Sequence, residues 1–127
     1  MRLLTRTCVL AALGAAVMIA PAAAPASGPV AVAAKRCQLS LNQQRHLGTT
    51  YVLNLSVSGT SCRSGRKVVK AYHGCRHSHG GADGHCSHVS GWRCGESRFN
   101  KSRFSYDAKA TCTKGGRRVK HTYTQNI

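Results

Sequence analysis

Carboxylates are nearly missing from this chain: among 127 residues only Asp83, Glu96 and Asp107 carry one. A hydrolase built on paired carboxylates therefore has almost no material to work with. Aromatic residues are scarce too, at 6%. Tyr72, Trp92 and Tyr123 fall where a core needs them, so few rings are left to stack on bases, and sequence-specific nucleic-acid recognition is not expected. The longest apolar run, from about Thr7 to Ala20, is about 14 residues, short of the ~20 that cross a bilayer as a helix, and Pro21 ends it. A permanent membrane anchor is not expected. No internal repeat is visible, and no C-x2-C stands before an H-x3-H, the spacing of familiar zinc modules.

Basic residues dominate what is present: 19 Lys and Arg give a formal net charge of +16. Arg2 and Arg6 precede the apolar run, and proline and small residues follow it, the pattern of a secretory signal peptide. Ala24-Pro25-Ala26 fits the small-residue cleavage rule and predicts residues 1–26 as the signal, with Ser27 as the new N-terminus. Cys8 would leave with it. Residues 27–36 read as a flexible lead and 37–127 as a single disulfide-rich domain. Cys37, Cys62, Cys75, Cys86, Cys94 and Cys112 remain, an even set that in an exported chain predicts three disulfides and a secreted or extracytoplasmic location. Without Arg2 and Arg6, 17 basic residues stand against three acidic ones, a net charge of +14. Such a surface is drawn to polyanions, although charge alone also serves simple solubility.

Periodicity predicts the elements. Leu39 and Leu41 alternate with polar neighbours as in a short strand. From Thr49 to Ser58, Tyr51, Leu53, Leu55 and Val57 share one face of a strand and define it as the core side. Thr60 or Ser61 can cap a helix running through Cys75, with Cys62, Gly65, Val68, Val69, Tyr72 and Cys75 close to one stripe. Gly65 costs such a helix about 1 kcal/mol relative to alanine, which a close approach to a sheet would explain. Val89 to Cys94 and Tyr106 to Thr113 read as strands. A turn on Gly115-Gly116 then sets Cys112 opposite Val119, Ala110 opposite His121 and Ala108 opposite Tyr123, a mostly apolar facing set. The expected fold class is α+β: one helix packed on a small antiparallel sheet in the order β-α-β-β-β, stabilised by disulfides.

The helix constrains the disulfides. Thirteen residues at about 1.5 Å each separate Cys62 from Cys75 by roughly 20 Å, far beyond the ~7 Å limit for a bridge. Cys75 ends the helix and Cys86 opens the next element, so these two are expected to pair, closing a loop of about 12 residues and stabilising the fold by near 3 kcal/mol. For Cys37, Cys62, Cys94 and Cys112 the pairing is open. A hairpin centred near Arg103 would set Cys94 opposite Cys112, leaving Cys37 with Cys62, while helix-to-sheet bridges such as Cys62 to Cys112 are an alternative.

The SCRSGRKVV at the helix start, the GWRC of residues 91–94, and Cys112 followed by a Val119 to Tyr123 strand resemble an uncharacterised family of small exported cysteine-rich bacterial proteins. The similarity spans about residues 50 to 125. Its motifs are structural cysteines and core positions, so it implies fold and export and no activity.

Three classes of function are open to these residues. The first is a non-enzymatic binding or envelope-associated module: Arg63, Arg66, Lys67 and Lys70 share the exposed arc of the helix, and Lys114, Arg117, Arg118 and Lys120 crowd the hairpin tip. Its partners would be anionic envelope polymers or other polyanions, and it needs no cofactor. The alternative is a metal-binding loop. The stretch HGCRHSHGGADGHCSH, His73 to His88, holds five of the seven histidines, and His77, His79, His85 and His88 could ligate zinc, copper or nickel. If Cys75 and Cys86 are oxidised, such a site rests on imidazole and Asp83, on a loop that Gly80, Gly81 and Gly84 loosen. Third comes a small secreted ribonuclease, with Glu96, His121 and one of Arg98, Arg103 or Arg117 as base, acid and anion clamp. No local motif supports it, and the expectation is that the protein is not an enzyme.

Overall fold

The computed structural model describes residue 28 and residues 32–127. The expected signal peptide, residues 1–26, and the start of the lead lie outside the described residues.

Strong alternation near the C-terminus builds the centre of the sheet. β5 (Ser105–Lys114) and β6 (Arg117–Asn126) form a hairpin in which Cys112 faces Val119, Ala110 faces His121 and Ala108 faces Tyr123. β4 (Trp92–Phe99) pairs with β5 and sets Cys94 opposite Cys112. The single strand expected from Val89 to Cys94 is two: β3 (His88–Val89) folds back on β4 through Ser90 and Gly91, both with positive φ, the backbone a tight hairpin turn demands. On the other side, β2 (Tyr51–Ser58) pairs with β6, and β1 (Lys35–Cys37) with β2. The sheet is antiparallel throughout, in the order β1-β2-β6-β5-β4-β3. The α+β class with one main helix holds, with six strands where four were expected.

Two local expectations give way. Tyr51 and Leu53 do not join Leu55 and Val57 in the core. A bulge between Val52 and Asn54 changes the alternation, so Val52 is buried in their place while Tyr51 and Leu53 are 38% and 51% exposed. Leu39 and Leu41 do not form a strand either. Ser40 accepts from the Gln43 N–H and Gln43 reaches back to the Ser40 N–H, a capping box that starts the short helix α1 (Leu41–Arg45) and leaves Leu41 exposed.

The main helix, α2 (Cys62–Ser78), begins at Ser61, whose hydroxyl accepts from the Ser64 N–H. It buries Gly65, Val68, Val69, Tyr72, His73 and Arg76 against one face of the sheet. Gly65 lies where the helix comes nearest to β2: a Cβ there would fall 2.6 Å from Val57 Cγ1. Three disulfides brace the fold. Cys37–Cys62 joins β1 to the helix start, Cys75–Cys86 joins the helix end to the segment before β3, and Cys94–Cys112 crosslinks β4 and β5. By loop-closure entropy each contributes about 3 kcal/mol. Among the described residues no helix is long and apolar enough to cross a membrane.

Candidate functional site

The helix and the sheet enclose two different interiors. Near the start of α2 the contact is apolar, with Val57, Val68, Val69 and Val119 buried together. Near its end the same layers enclose polar groups. Ala108 and Ala110, small and fully buried, sit between Glu96 and Arg98 on β4 and His121 and Tyr123 on β6. Over them the Tyr72 and Tyr123 hydroxyls both donate to Glu96 Oε2 at 2.5 Å, while Arg98 donates to Oε1 at 2.6 Å and His85 Nδ1 lies 3.2 Å from it. Burial pushes the Glu96 carboxyl up, but the hydrogen bonds from Tyr123 and Tyr72 and the charge of Arg98 outweigh it and hold the group below its usual range. The two phenols are driven upward by burial and by that carboxylate.

Beside this carboxylate lies a fully buried arginine with no acidic partner. Arg76 donates to the Ala82 and Gly84 carbonyls, the Tyr106 hydroxyl, Gln125 Oε1 and His73 Nδ1, and its guanidinium lies 5.0 Å from the centre of the Tyr123 ring. These neutral acceptors replace the water that a buried cation loses. The bond to His73 Nδ1 places the His73 proton on Nε2, from which it reaches His121 Nε2 at 3.0 Å. His121 therefore carries its proton on Nδ1, a buried atom with no hydrogen-bond partner. Burial, reinforced by Arg76, depresses both imidazoles and keeps the pair neutral.

The histidine-rich stretch is the lid over this interior. Arg76 and Arg98 grip the carbonyls of Ala82, Asp83 and Gly84, Tyr106 donates to Ala82, and Cys75–Cys86 closes the base. Gly84 is buried so closely that a Cβ would overlap the Arg76 carbonyl oxygen. Gly84 thus serves tight packing where looseness was expected. The expected metal ligands are dispersed: His77 bonds the Gly48 carbonyl, His79 the Cys75 carbonyl, His85 Glu96, and His88 Ser87. Among the described residues no three His, Cys, Asp or Glu side chains form a group able to hold a metal ion. Helix α2 runs three residues beyond Cys75, so His77 and His79 belong to its end while His85 lies beyond the Gly81–Asp83 turn. The residues considered for an acid–base enzyme are likewise divided. Glu96 and Arg98 meet, but the Glu96 side chain is 5% exposed and His121 1%, Arg103 covers the Phe104 ring, and Arg117 lines a groove with Lys67.

The face of the sheet opposite α2 is basic and, among the described residues, lies open apart from Val32 and Ala34, which line a depression with Ser56, Ser58, Arg118 and Lys120. Strand alternation sends Val119, His121 and Tyr123 to the helix side, and so sends Arg118, Lys120, Thr122 and Thr124 to the other. The pairing aligns three cross-strand rows: Arg93, Thr113, Arg118 and Ser58; Thr111, Lys120, Ser56 and Arg36; Ser97, Lys109, Thr122 and Asn54. Five cations and a field of hydroxyls thus share one surface: Arg118 and Lys120 are same-strand neighbours ~7 Å apart, and Arg93 and Arg36 each lie two strands, roughly 10 Å, from one of them. A shallow depression of about 260 Å³ lies among Asn54, Ser56, Lys109, Thr111, Lys120 and Thr122. Among the described residues the salt bridges join only His85 and Arg98 to Glu96 and Asp83, so these five cations have no carboxylate partner. The remaining acid, Asp107, sits at one end of the face, where hydrogen bonds from Thr124 and Asn100 hold its carboxyl below the usual range.

The basic groups named from the sequence therefore separate. Arg63, Lys67 and Lys70 are exposed on α2 and Arg66 is half-buried. The hairpin-tip cluster divides: Arg118 and Lys120 belong to the open face, whereas Lys114 bonds the Ser90 carbonyl on the helix side, near Arg117. Arg36, Arg93 and Lys109, not singled out in the sequence, complete the open face. For Arg93 and Lys109 the signal was available in the hairpin registers, since Cys94 opposite Cys112 places Arg93 opposite Thr113 and Lys109 opposite Ser97, on the far side from the core, whereas Arg36 lies in a segment read as lead. No family model, curated protein or solved structure matches the chain. The three disulfides fit an oxidising, extracytoplasmic environment.

Proposed function

We propose that this is a secreted, non-enzymatic binding module whose open sheet face engages an anionic polymer of the cell envelope. One observation carries the reading: Arg36, Arg93, Lys109, Arg118 and Lys120 lie in register on the face of the sheet opposite α2, and among the described residues none has a carboxylate partner. Cations spaced roughly 7–10 Å apart suit a chain of repeating phosphates or carboxylates, and the interleaved threonines and serines add neutral donors. The few aromatic side chains favour charge over base recognition. The resemblance to small exported cysteine-rich proteins fits the same setting.

Binding of the oxidised protein to a polyglycerol-phosphate polymer, measured across a salt series, tests this. Affinity should fall steeply as salt rises, and R93Q/K109Q/R118Q/K120Q should flatten the slope of log K against log salt by roughly one unit for each phosphate that is no longer neutralised. Absent binding, or binding indifferent to salt, refutes the proposal.

A further inference from the structure

On the helix side of the sheet, away from the open face, a groove of about 350 Å³ separates the first half of α2 from the β3–β4 turn. That volume falls at the lower end of the range for small-molecule pockets, roughly 300–1,000 Å³. Its floor is apolar, formed by half-buried Ala71 and Val89 and the edges of Val68 and Trp92. Its rim is cationic: Lys67 comes from the helix and Arg117 from the start of β6. Neither has a carboxylate partner, because among the described residues Asp83 and Glu96 are held by Arg98, and Asp107 lies on the opposite face of the sheet. Thr60 and Ser64 add hydroxyls where α2 begins, a helix whose first turn contains no acidic residue.

We propose that this groove binds a small amphiphilic anion: a carboxylate, phosphate or sulfonate head between Lys67 and Arg117, with a short apolar or aromatic body on Ala71, Val89 and Trp92. An inorganic anion would leave the apolar floor wet, and a neutral hydrocarbon would leave two cations uncompensated beside it. Only a ligand with both parts satisfies both surfaces. The site is separate from the polymer face, because Arg117 and its neighbour Arg118 point to opposite sides of the same strand.

Trp92, the only tryptophan in the chain, lines the groove and reports occupancy. The oxidised protein is titrated at about 0.15 M salt, where exposed charges more than about 8 Å apart are largely screened. The probes are 4-phenylbutyrate, its uncharged amide, and inorganic phosphate. A saturable change in Trp92 fluorescence is expected with 4-phenylbutyrate, at least tenfold weaker with the other two. K67Q/R117Q should weaken the carboxylate at least tenfold, A71L should abolish binding by filling the floor without altering charge, and R118Q/K120Q should leave it unchanged. No saturable response to 4-phenylbutyrate, equal affinity for acid and amide, equal response to phosphate, or indifference to both groove variants would overturn the assignment. Failure of polymer binding would leave these readouts untouched, so the two sites stand or fall separately.

Discussion

The interior beneath the end of α2 and the open face of the sheet are both rich in polar and charged side chains, yet they are organised in opposite ways. Inside, every charge has been withdrawn from water and given partners: Glu96 receives four side chains, and Arg76 donates to five acceptors. Outside, five cations stand in rows and, among the described residues, none has a carboxylate partner. The difference follows from the scarcity of carboxylates. With three in the chain, Glu96 and Asp83 attend the interior and its lid, so the cations of the open face are neutralised by solvent or by something that binds. Inside, polar groups determine stability; outside, they determine recognition.

The sharpest way to break this contrast is to remove the central carboxylate. Glu96→Ala leaves the half-buried Arg98 and the hydroxyls of Tyr72 and Tyr123 without their acceptor. Deleting one partner of a buried pair costs about 3–5 kcal/mol, because the other charge remains desolvated. Urea midpoints with disulfides intact should fall accordingly, and Glu96→Gln should fall less, since the amide oxygen still accepts. A drop under about 1 kcal/mol would mean that water enters this interior freely.

Next in size is the response to acid. His73 and His121, ordinarily near 6.5, are depressed by burial, His121 to about 4. Below about pH 6 the unfolded chain takes up protons that the folded chain refuses. Stability is thus fully present above the ordinary value and is lost as pH falls toward the folded values. Two such groups give a slope of up to about 2.7 kcal/mol per pH unit between roughly pH 6 and 4. Glu96, also held low, adds to the loss of stability as the pH falls through and below the usual carboxylate range. His121→Phe should halve the slope, measured as urea midpoints at pH 7, 5.5 and 4.5, and a flat profile in the parent protein would contradict a neutral, buried pair.

The two regions also differed in how far the sequence revealed them. The open face was nearly legible: the Gly115-Gly116 turn sets the register of β5 and β6, and alternation then assigns Arg118 and Lys120 to the outer side. The Cys75–Cys86 pair followed from helix rise, which bars Cys62, together with the place of Cys86 at the opening of the next element. The polar interior was hidden because His73 and Arg76 lie on the same helical stripe as Tyr72 but are residue types that a hydrophobic pattern assigns to solvent. Their burial depends on acceptors from Ala82, Gly84 and Gln125, which only tertiary structure assembles. The bulge after Val52 was equally silent, since one extra residue in a strand leaves no compositional mark.

The smallest effect on folding should come from the region with the most charge. Arg93, Lys109, Arg118 and Lys120 are exposed, and apart from Lys109 over the Phe99 ring at 5.6 Å none is engaged with an aromatic ring. Exposed side chains away from caps and buried networks usually change stability by no more than about 0.5 kcal/mol. Replacing all four with glutamine should keep the urea midpoint close to that of the parent, and raise it slightly at low ionic strength by relieving repulsion among like charges. The pH profile set by His73 and His121 should be unaltered. Polymer affinity should nevertheless collapse, so one variant would separate the two kinds of charge: recognition abolished while stability and its acid dependence remain. A fall of about 2 kcal/mol or more in the same variant would instead show that the outer rows help hold the sheet together.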